Sequence, residues 1–359
     1  MTLNLTNNKI YVIAEIGVNH NGKFSIAKKL VDEAVKCGAD AVKFQIFNTN
    51  NLVTKKADLA PYQKKNLNKD LSQYKMLKKL ELKSEEFEKL KHYCKKKRID
   101  FLNSIFDEKS FEFNKKVLKS KLIKIASGEL NNIFLLKKIN ILKEKVILST
   151  GMSNYQEITT SLNYLSKKNV FKFKNKKIKV INKQFLKILK KNLFLMHCVT
   201  DYPVKDKFAN LKCIDNMIKD FQLKVGYSDH TKGIFAPLIA VSKGAKIIEK
   251  HFTLNKKSNG PDHKASLEPK EFMEMIKMIR KFELMNGDGI KKLQKCEQDN
   301  LKIARKSLVA KNFIKKNEKF TFKNVTAKRP AKGLNPFLFK KILNKKSKKE
   351  YQPNEIIKI

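Results

Sequence analysis

Eight short, β-rich apolar runs alternate with longer Lys/Glu-rich segments of helical period, and this alternation constrains the fold more than any other feature. Amphipathic segments such as 25–38 and 84–98 occupy the gaps between the runs. The predicted strands are 11–17, 41–46, 100–105, 122–127, 145–150, 193–198, 224–229 and 245–252. Eight strands alternating with helices predict the α/β class and a (β/α)8 TIM barrel rather than an open sheet.

Polar and ionisable side chains fall where these runs end. The residues are Glu15, Lys43, Gln45, Ser104, Lys124, Ser127, Ser149, His197, Cys198, Ser228, His230, Glu249 and His251. The carboxyl ends of barrel strands converge on one mouth, where the catalytic residues of this fold lie. Because ionisable groups cost free energy to desolvate, such crowding predicts an active site rather than a structural role.

His230 and His251 end two consecutive predicted strands. Two imidazoles at adjacent strand ends can hold one divalent cation whose coordination is completed by water and substrate oxygens. The open positions and oxygen-rich surroundings favour Mn²⁺, or Mg²⁺, over a closed structural Zn²⁺ site. The alternative is a pair of hydrogen-bonded histidines without metal.

Lys43 and Lys124 lie inside strands in otherwise apolar surroundings. A buried lysine without a partner is costly, so the sequence predicts an anion between these strands. Nearby hydroxyls would complete a phosphate and carboxylate pocket: Ser127, Ser149 and Ser228. Two alternatives are lysines that reach past the rim to water and a Schiff-base lysine.

Glu15, at the end of the first run, is a candidate general base or an acceptor for a sugar hydroxyl.

The domain prediction is a barrel over 1–286, a linker over 287–304 and a small β-rich domain over 305–359, which is too small for a robust independent core. We interpret the Lys-rich stretch 167–192 as a surface excursion of the barrel.

The charge of the chain is extreme, with 79 Lys and Arg against 34 Asp and Glu, a net +45. Only Arg98, Arg280, Arg305 and Arg329 are arginine, and the lysines are spread along the whole chain without a nucleic-acid-binding signature. We therefore predict no nucleic-acid partner, although such a field would speed the arrival of an anionic substrate.

The apolar segments and cysteines bear on the compartment. No apolar run reaches the length of about 18 residues that a membrane span needs, so we expect no membrane association. The amino terminus lacks the pattern of a secretory signal, and none of the 5 cysteines forms a CxxC pair. A reducing, cytoplasmic location is the expectation.

An ordered set of motifs spans nearly the whole chain: AEIGVNHNG, VKFQIF, KIASGELNN, LSTGMS, HCVTDYP, GYSDHT, EKHFTL and GPDHKASLEP. In these motifs the chain resembles the N-acetylneuraminate (sialic acid) synthase family. The segment from Ala304 to Pro336 resembles the small carboxyl-terminal antifreeze-like (SAF) domain of that family.

The resemblance implies residue roles. It implies a manganese-type metal on His230 and His251, with Glu15, Lys43, Lys124 and His230 catalytic. The implied phosphoenolpyruvate contacts are Lys43, Ser104, Lys124, Ser127, Ser149, Thr200 and Ser228. The implied amino-sugar contacts are Gln45, Tyr202, Glu249 and Asp262. It also implies a domain-swapped homodimer, in which Arg329 reaches the N-acetyl group of a sugar in the partner's barrel.

The expected reaction joins phosphoenolpyruvate, open-chain N-acetylmannosamine and water to give N-acetylneuraminate and phosphate. One alternative is the same reaction on a diacetamido-trideoxyhexose, giving legionaminate or pseudaminate. A more remote alternative is a basic barrel that binds an anionic polymer without turnover.

Overall fold

The computed structural model of the chain describes residues 9–67 and 72–358. The chain divides into two compact units, Met1–Asn286 and Gly287–Ile359. Each unit has its own buried apolar cluster.

The first unit is built on a closed barrel of eight parallel strands, which confirms the predicted fold class. The strands of the described chain are β1 (Tyr11–Gly17), β2 (Ala41–Ile46), β3 (Asp100–Ile105), β4 (Leu122–Ile125), β5 (Lys145–Ser149), β6 (Phe171–Lys174), β7 (Lys177–Val180), β8 (Leu193–Cys198), β9 (Lys224–Asp229), β10 (Ile247–His251), β11 (Ser307–Ala310) and β12 (Val325–Lys328). The barrel order is β1-β10-β9-β8-β5-β4-β3-β2. The predicted strand 122–127 is too long, because the chain turns into a 3-10 segment at Ser127–Glu129.

Helices connect the barrel strands, and two further helices among the described residues belong to the second unit. They are α1 (Phe24–Lys36), α2 (Thr49–Leu52), α3 (Pro61–Leu67), α4 (Gln73–Leu80), α5 (Ser84–Lys97), α6 (Glu108–Phe113), α7 (Ile133–Lys138), α8 (Tyr155–Ser166), α9 (Lys183–Asn192), α10 (Lys212–Phe221), α11 (Phe235–Ser242), α12 (Pro269–Asn286), α13 (Gln298–Ala304) and α14 (Phe339–Ile342). None of the helices in the described part of the chain is long and apolar enough to cross a membrane.

The inside of the barrel changes from apolar to polar along the strands. The lower layer is a buried cluster that includes Ile13, Ala41, Leu102, Ile147 and Ile247. Side chains on one face of a strand recur every two residues, so the next inward positions are Glu15, Lys43, Ser104, Ser149 and Glu249, all buried. Because the inward-facing side chains change from apolar to polar at corresponding positions of several strands, the barrel has a polar mouth above an apolar interior layer.

The outward faces of the strands pack against the helices in the largest apolar cluster, to which Val42 and Phe44 of β2 and Leu30 of α1 belong. Burying such side chains stabilises the barrel by about 1.5–3 kcal/mol each, which fixes the strand ends that carry the polar residues. Two outward positions depart from this pattern, since they hold the buried charges Asp229 and Lys250.

The stretch 167–192 is only partly a surface excursion. Its first half is an antiparallel hairpin, β6 with β7. Its second half is α9, whose Leu186 and Leu189 are buried in the main apolar cluster. The interpretation as an excursion was therefore wrong for α9, which covers the barrel between β5 and β8.

The second unit contains α13, α14 and the antiparallel pair β11 and β12. A small apolar cluster includes Leu308, Val325, Ile342 and Tyr351. Isolated antiparallel bridges join Tyr351 to Ile314 and Ile356 to Val309. Residues 287–304, predicted as a linker, fall within this unit, and its identity as an SAF domain stays a prediction.

Candidate active site

A cavity of about 350 Å³ opens at the carboxyl ends of the barrel strands. Every predicted site residue except Arg329 lines it: Glu15, Lys43, Gln45, Ser104, Lys124, Ser127, Ser149, Thr200, Tyr202, Ser228, His230, Glu249, His251 and Asp262. Side chains that are up to 247 positions apart in the chain thus surround one space. Their individual roles stay predictions.

Both buried lysines have carboxylate partners, which corrects the premise that they lack one. The Lys43 ammonium lies 2.7 Å from Glu15 Oε2 and donates to Ser104 Oγ at 2.6 Å. The Lys124 ammonium donates to both oxygens of Glu249 at 2.8 Å. Ser228 Oγ adds a hydrogen bond to Glu249 Oε1 at 2.9 Å.

Burial and these pairs set the protonation of the network. Burial alone would raise the pKa of Glu249, but Lys124 and Lys43 lower that pKa to about 2. Burial raises the pKa of Glu15 against the opposing effect of Lys43. Burial lowers the pKa of Lys124, and the neighbouring Glu249 acts in the opposite direction by raising that pKa.

Two ammonium groups and two carboxylates leave this part of the cavity close to neutral. An incoming anion must therefore either separate a lysine from its carboxylate or be accompanied by a proton. Glu15, whose pKa burial raises, is the carboxylate that accepts that proton more readily than Glu249 does.

The two histidines face each other with ring centroids 5.4 Å apart. His230 Nδ1 lies 2.6 Å from the carbonyl oxygen of Val199, so that nitrogen donates its proton and Nε2 keeps a free lone pair. Burial lowers the pKa of His230 to about 4 and that of His251 well below its ordinary value. Both rings are neutral at pH 7, which is the form that binds metal ions.

These residues fit a shared divalent cation in an open coordination sphere. His251 Nδ1 is buried without a hydrogen-bond partner in the described chain, and it lies 3.8 Å from Asp262 Oδ2. No group of three or more His, Cys, Asp or Glu side chains within 9–67 and 72–358 is arranged around one ion. A cation on His230 and His251 would take its remaining ligands from water and substrate.

Tyr202 covers the two histidines. Its ring centroid lies 4.1 Å from that of His230 and 5.4 Å from that of His251. The Tyr62 ring packs on Tyr202 at 4.7 Å. Two tyrosine rings over the imidazoles limit the access of water to this corner of the cavity.

Asp262, beside the histidines, favours its neutral form. Burial raises the pKa of this carboxyl to about 7, and the nearby Glu15 contributes to the increase. Asp262 can therefore donate a hydrogen bond near neutral pH as well as accept one.

Hydroxyl groups also line the cavity. Ser127 Oγ accepts from the Gly151 amide at 3.0 Å and lies 3.1 Å from Cys198 Sγ. The buried Thr200 Oγ1 has no hydrogen-bond partner in the described chain. An unsatisfied buried hydroxyl is costly, so Thr200 is positioned to bind a polar ligand atom.

Arg329 lies in the second unit, where it is exposed directly after β12. The role that the family resemblance implies for it stays a prediction.

Sequence reasoning missed an apolar wall of the cavity. It comes from the segment that follows β2, from α4 and from the loop after β3: Phe47, Leu52, Val53, Met76, Leu77, Leu80 and Phe106. Several of these residues also form a buried cluster with Val18 and Leu59. In the sequence they look like ordinary helix-core residues, and no local signal separates the two roles.

Comparison with known proteins places these features in a family. The model of the NeuB family matches residues 30–291. The chain is 46% identical to the N,N'-diacetyllegionaminic acid synthase of Campylobacter jejuni, over 87% of this chain and 88% of that protein. It is 38% identical to the protein of the same name from Legionella pneumophila, over 87% of this chain and 83% of that protein.

A solved structure is similar as well. The N-acetylneuraminic acid (sialic acid) synthetase of Leptospira borgpetersenii, crystallised with citrate, superposes with a TM-score of 0.66 at 30% identity. The match covers 82% of this chain and 91% of that chain.

Proposed function

The chain belongs to the NeuB family, and from this premise we propose that it condenses phosphoenolpyruvate with an open-chain N-acetylated amino sugar and water, releasing phosphate. It is accordingly a C–C bond-forming transferase. The observation that carries the proposal is the convergence of two buried lysines and two neutral, facing imidazoles on one cavity.

In this proposal Lys43 and Lys124 bind the phosphate and carboxylate groups of phosphoenolpyruvate. Both ammonium groups are buried, so their attraction for an anion is screened less than at the surface. Ser127 and Thr200 supply hydroxyl contacts. The protein contributes mainly position and electrostatic stabilisation to the reaction.

The amino sugar would lie with its aldehyde near His230 and His251. A Mn²⁺ or Mg²⁺ ion on these residues would polarise the aldehyde oxygen as a Lewis acid. C3 of phosphoenolpyruvate then attacks the aldehyde carbon and leaves positive charge at C2. Tyr202, which packs on both imidazoles, would limit the access of bulk water to the aldehyde.

Glu15 would activate the water that adds to C2. Its raised pKa and its position 2.7 Å from the Lys43 ammonium suit a carboxylate that takes up and returns a proton. One proton of the water reaches the aldehyde oxygen, which becomes a hydroxyl. The other leaves the C2 hydroxyl as the tetrahedral intermediate collapses to the C2 ketone, and the phosphate expelled by cleavage of the C2–O bond takes it up.

Two sugars are candidates. N-acetylmannosamine would give N-acetylneuraminate, and a diacetamido-trideoxyhexose would give legionaminate or pseudaminate. Two proteins named N,N'-diacetyllegionaminic acid synthase are 46% and 38% identical to this chain, and the Leptospira sialic acid synthetase is 30% identical, so both sugars stay candidates. The apolar wall favours the diacetamido sugar, because an added acetamido methyl and a deoxy position present less polar surface than sugar hydroxyls.

The test is a panel of N-acetylated aldoses supplied with phosphoenolpyruvate and Mn²⁺, with phosphate release and product mass as readouts. The proposal expects turnover with at least one of the two sugars and a higher kcat/KM with the diacetamido sugar. Preference for N-acetylmannosamine would reject the second candidate but not the reaction. Tight phosphoenolpyruvate binding without turnover of any sugar would reject the reaction itself.

A further inference from the structure

Asp229 and Lys250 carry charges in a place where the proposed reaction does not use them. Both side chains are 0% exposed, and neither lines the cavity. They occupy outward positions of β9 and β10, next in sequence to residues that point into the mouth. Burying an ion pair in the helix-facing layer costs desolvation free energy, so its presence there calls for a physical explanation.

Each member of the pair makes two or more hydrogen bonds. The Lys250 ammonium donates to Asp229 Oδ2 and to the carbonyl oxygen of Thr231. Asp229 Oδ1 accepts from the Tyr227 hydroxyl at 3.0 Å and from the Thr231 amide at 2.8 Å. Buried polar groups satisfied to this degree define one local geometry rather than several.

The two histidines are direct neighbours of this network. Lys250 precedes His251, whereas Asp229 and Thr231 are the residues on either side of His230. The Lys250 ammonium, next to His251 on β10, thus donates hydrogen bonds to the residues on both sides of His230, Asp229 and Thr231.

The backbone does not provide the same link. The parallel pairing between β9 and β10 ends at the Asp229 and Lys250 positions. Beyond that point the His230 carbonyl accepts from Val204, and the His251 carbonyl accepts from Leu267. The two histidine backbones are therefore bonded to different loops, and the side-chain network is what joins them past the end of the sheet.

Stability alone is a weak reason to keep such a pair, because well-packed apolar side chains of similar volume often stabilise a core equally well. We propose that Asp229, Lys250 and Thr231 form a clamp that fixes the separation of the His230 and His251 imidazoles for binding one divalent cation. Asp229 and Lys250 are positioning residues that act through the two histidines. The inference rests on the metal site in the proposed function.

The test measures Mn²⁺ binding without turnover, from the electron paramagnetic resonance signal of free Mn²⁺. The variant is Asp229→Asn with Lys250→Met, which removes both charges together and keeps the Oδ1 acceptor for Tyr227 and Thr231. We expect the Mn²⁺ dissociation constant to rise about 10- to 100-fold, as for other residues that orient metal ligands. The unfolding midpoint in excess chelator should stay near that of the unaltered protein.

A second ion pair of the same unit serves as the matched control. Arg280 Nη2 lies 2.6 Å from Asp40 Oδ2, and Asp40 directly precedes β2, so this pair is at the amino ends of the strands. Asp40→Asn with Arg280→Met removes the same number of charges. It should leave the Mn²⁺ dissociation constant unchanged, whatever it does to the unfolding midpoint.

The outcomes are distinct. An unchanged Mn²⁺ dissociation constant in the clamp variant, with normal binding by the unaltered protein, would overturn the clamp alone. Failure of the unaltered protein to bind Mn²⁺ would overturn the clamp together with the metal site of the proposed function. If the double variant does not fold, Tyr227→Phe takes its place, because it removes one hydrogen bond to Asp229 and leaves both charges paired. A smaller weakening of Mn²⁺ binding is then expected, and an unchanged constant would refute the clamp.

Discussion

Replacing Lys124 by methionine tests whether this lysine binds the substrate anion or only neutralises Glu249. Lys124 is buried, and its ammonium contacts both oxygens of Glu249 at 2.8 Å. Methionine keeps most of the volume but leaves the carboxylate buried without its partner. Breaking a buried pair in this way costs about 3–5 kcal/mol of unfolding free energy.

Two quantities should therefore change. For a unit of this size the unfolding midpoint falls by about 2–4 °C per kcal/mol, so a decrease of about 6–20 °C is expected. Loss of a buried charged contact to phosphoenolpyruvate should lower kcat/KM for that substrate by about 2–5 kcal/mol, or roughly 30- to several-thousand-fold. The KM of the sugar should change much less.

A second substitution separates the two effects. In Lys124→Met with Glu249→Gln the carboxylate charge is gone, so most of the lost stability should return. The use of phosphoenolpyruvate should stay impaired, because the ammonium is still absent. Differential scanning calorimetry and initial rates at varied phosphoenolpyruvate measure the two quantities, with Lys9→Met, an exposed lysine paired to Asp40, as control. Recovery of both quantities in the double variant would refute substrate binding by Lys124.

Three further predictions address the metal, the pH dependence and the second unit. Chelation should abolish turnover, and Mn²⁺ should restore it. His230→Ala or His251→Ala should sharply raise the Mn²⁺ concentration needed for activity. Full activity in excess chelator would contradict the proposed site. Because burial raises the pKa of Asp262 from 3.8 to about 7, its contribution to stability is complete below about pH 4 and is lost as the pH rises through 7. In chelator, Asp262→Asn should thus stabilise the protein by roughly 3 kcal/mol more at pH 8 than at pH 5, and equal effects in urea unfolding at both pH values would refute this assignment. If the predicted domain-swapped dimer forms, mixing inactive His230→Ala and Arg329→Ala proteins should partly restore activity after subunit exchange, and activity that stays at the parental level despite proven exchange would exclude the swap.

The barrel and its polar mouth were predictable because their signals are local. Short β-rich apolar runs identify the strands, and the change from Ile13 to Glu15, or from Ile247 to Glu249, marks the level where the mouth begins. The (β/α)8 closure then brings those positions together without any further information from the sequence.

The partners of the charged groups were not predictable in the same way. Lys124 and Glu249 are 125 positions apart, and their contact depends on where each strand falls in the closed barrel. The sequence therefore gave the lysine no visible partner and suggested an external anion. The Asp229 and Lys250 pair was not predictable for the same reason, because it joins two different strands. Both residues face outward, and the sequence does not show that helices cover these positions rather than solvent.

The apolar wall and α9 were missed for a different reason. Met76 and Leu80 belong to an amphipathic helix whose apolar face could cover any part of the barrel. In α9 the lysines equal the apolar residues in number, four of each, so the segment resembled an exposed insertion, although two leucines on one face suffice to bury it.

The central claim, condensation by cleavage of the C2–O bond, is tested most directly with phosphoenolpyruvate that carries ¹⁸O in the bridging position. The protein is incubated with this substrate, Mn²⁺ and either N-acetylmannosamine or the diacetamido-trideoxyhexose, and the phosphate and the sugar acid are examined by mass spectrometry. We expect one sugar acid per phosphate released, with the ¹⁸O in the phosphate. Unlabelled phosphate, or phosphate released without a sugar acid, would contradict the proposed reaction.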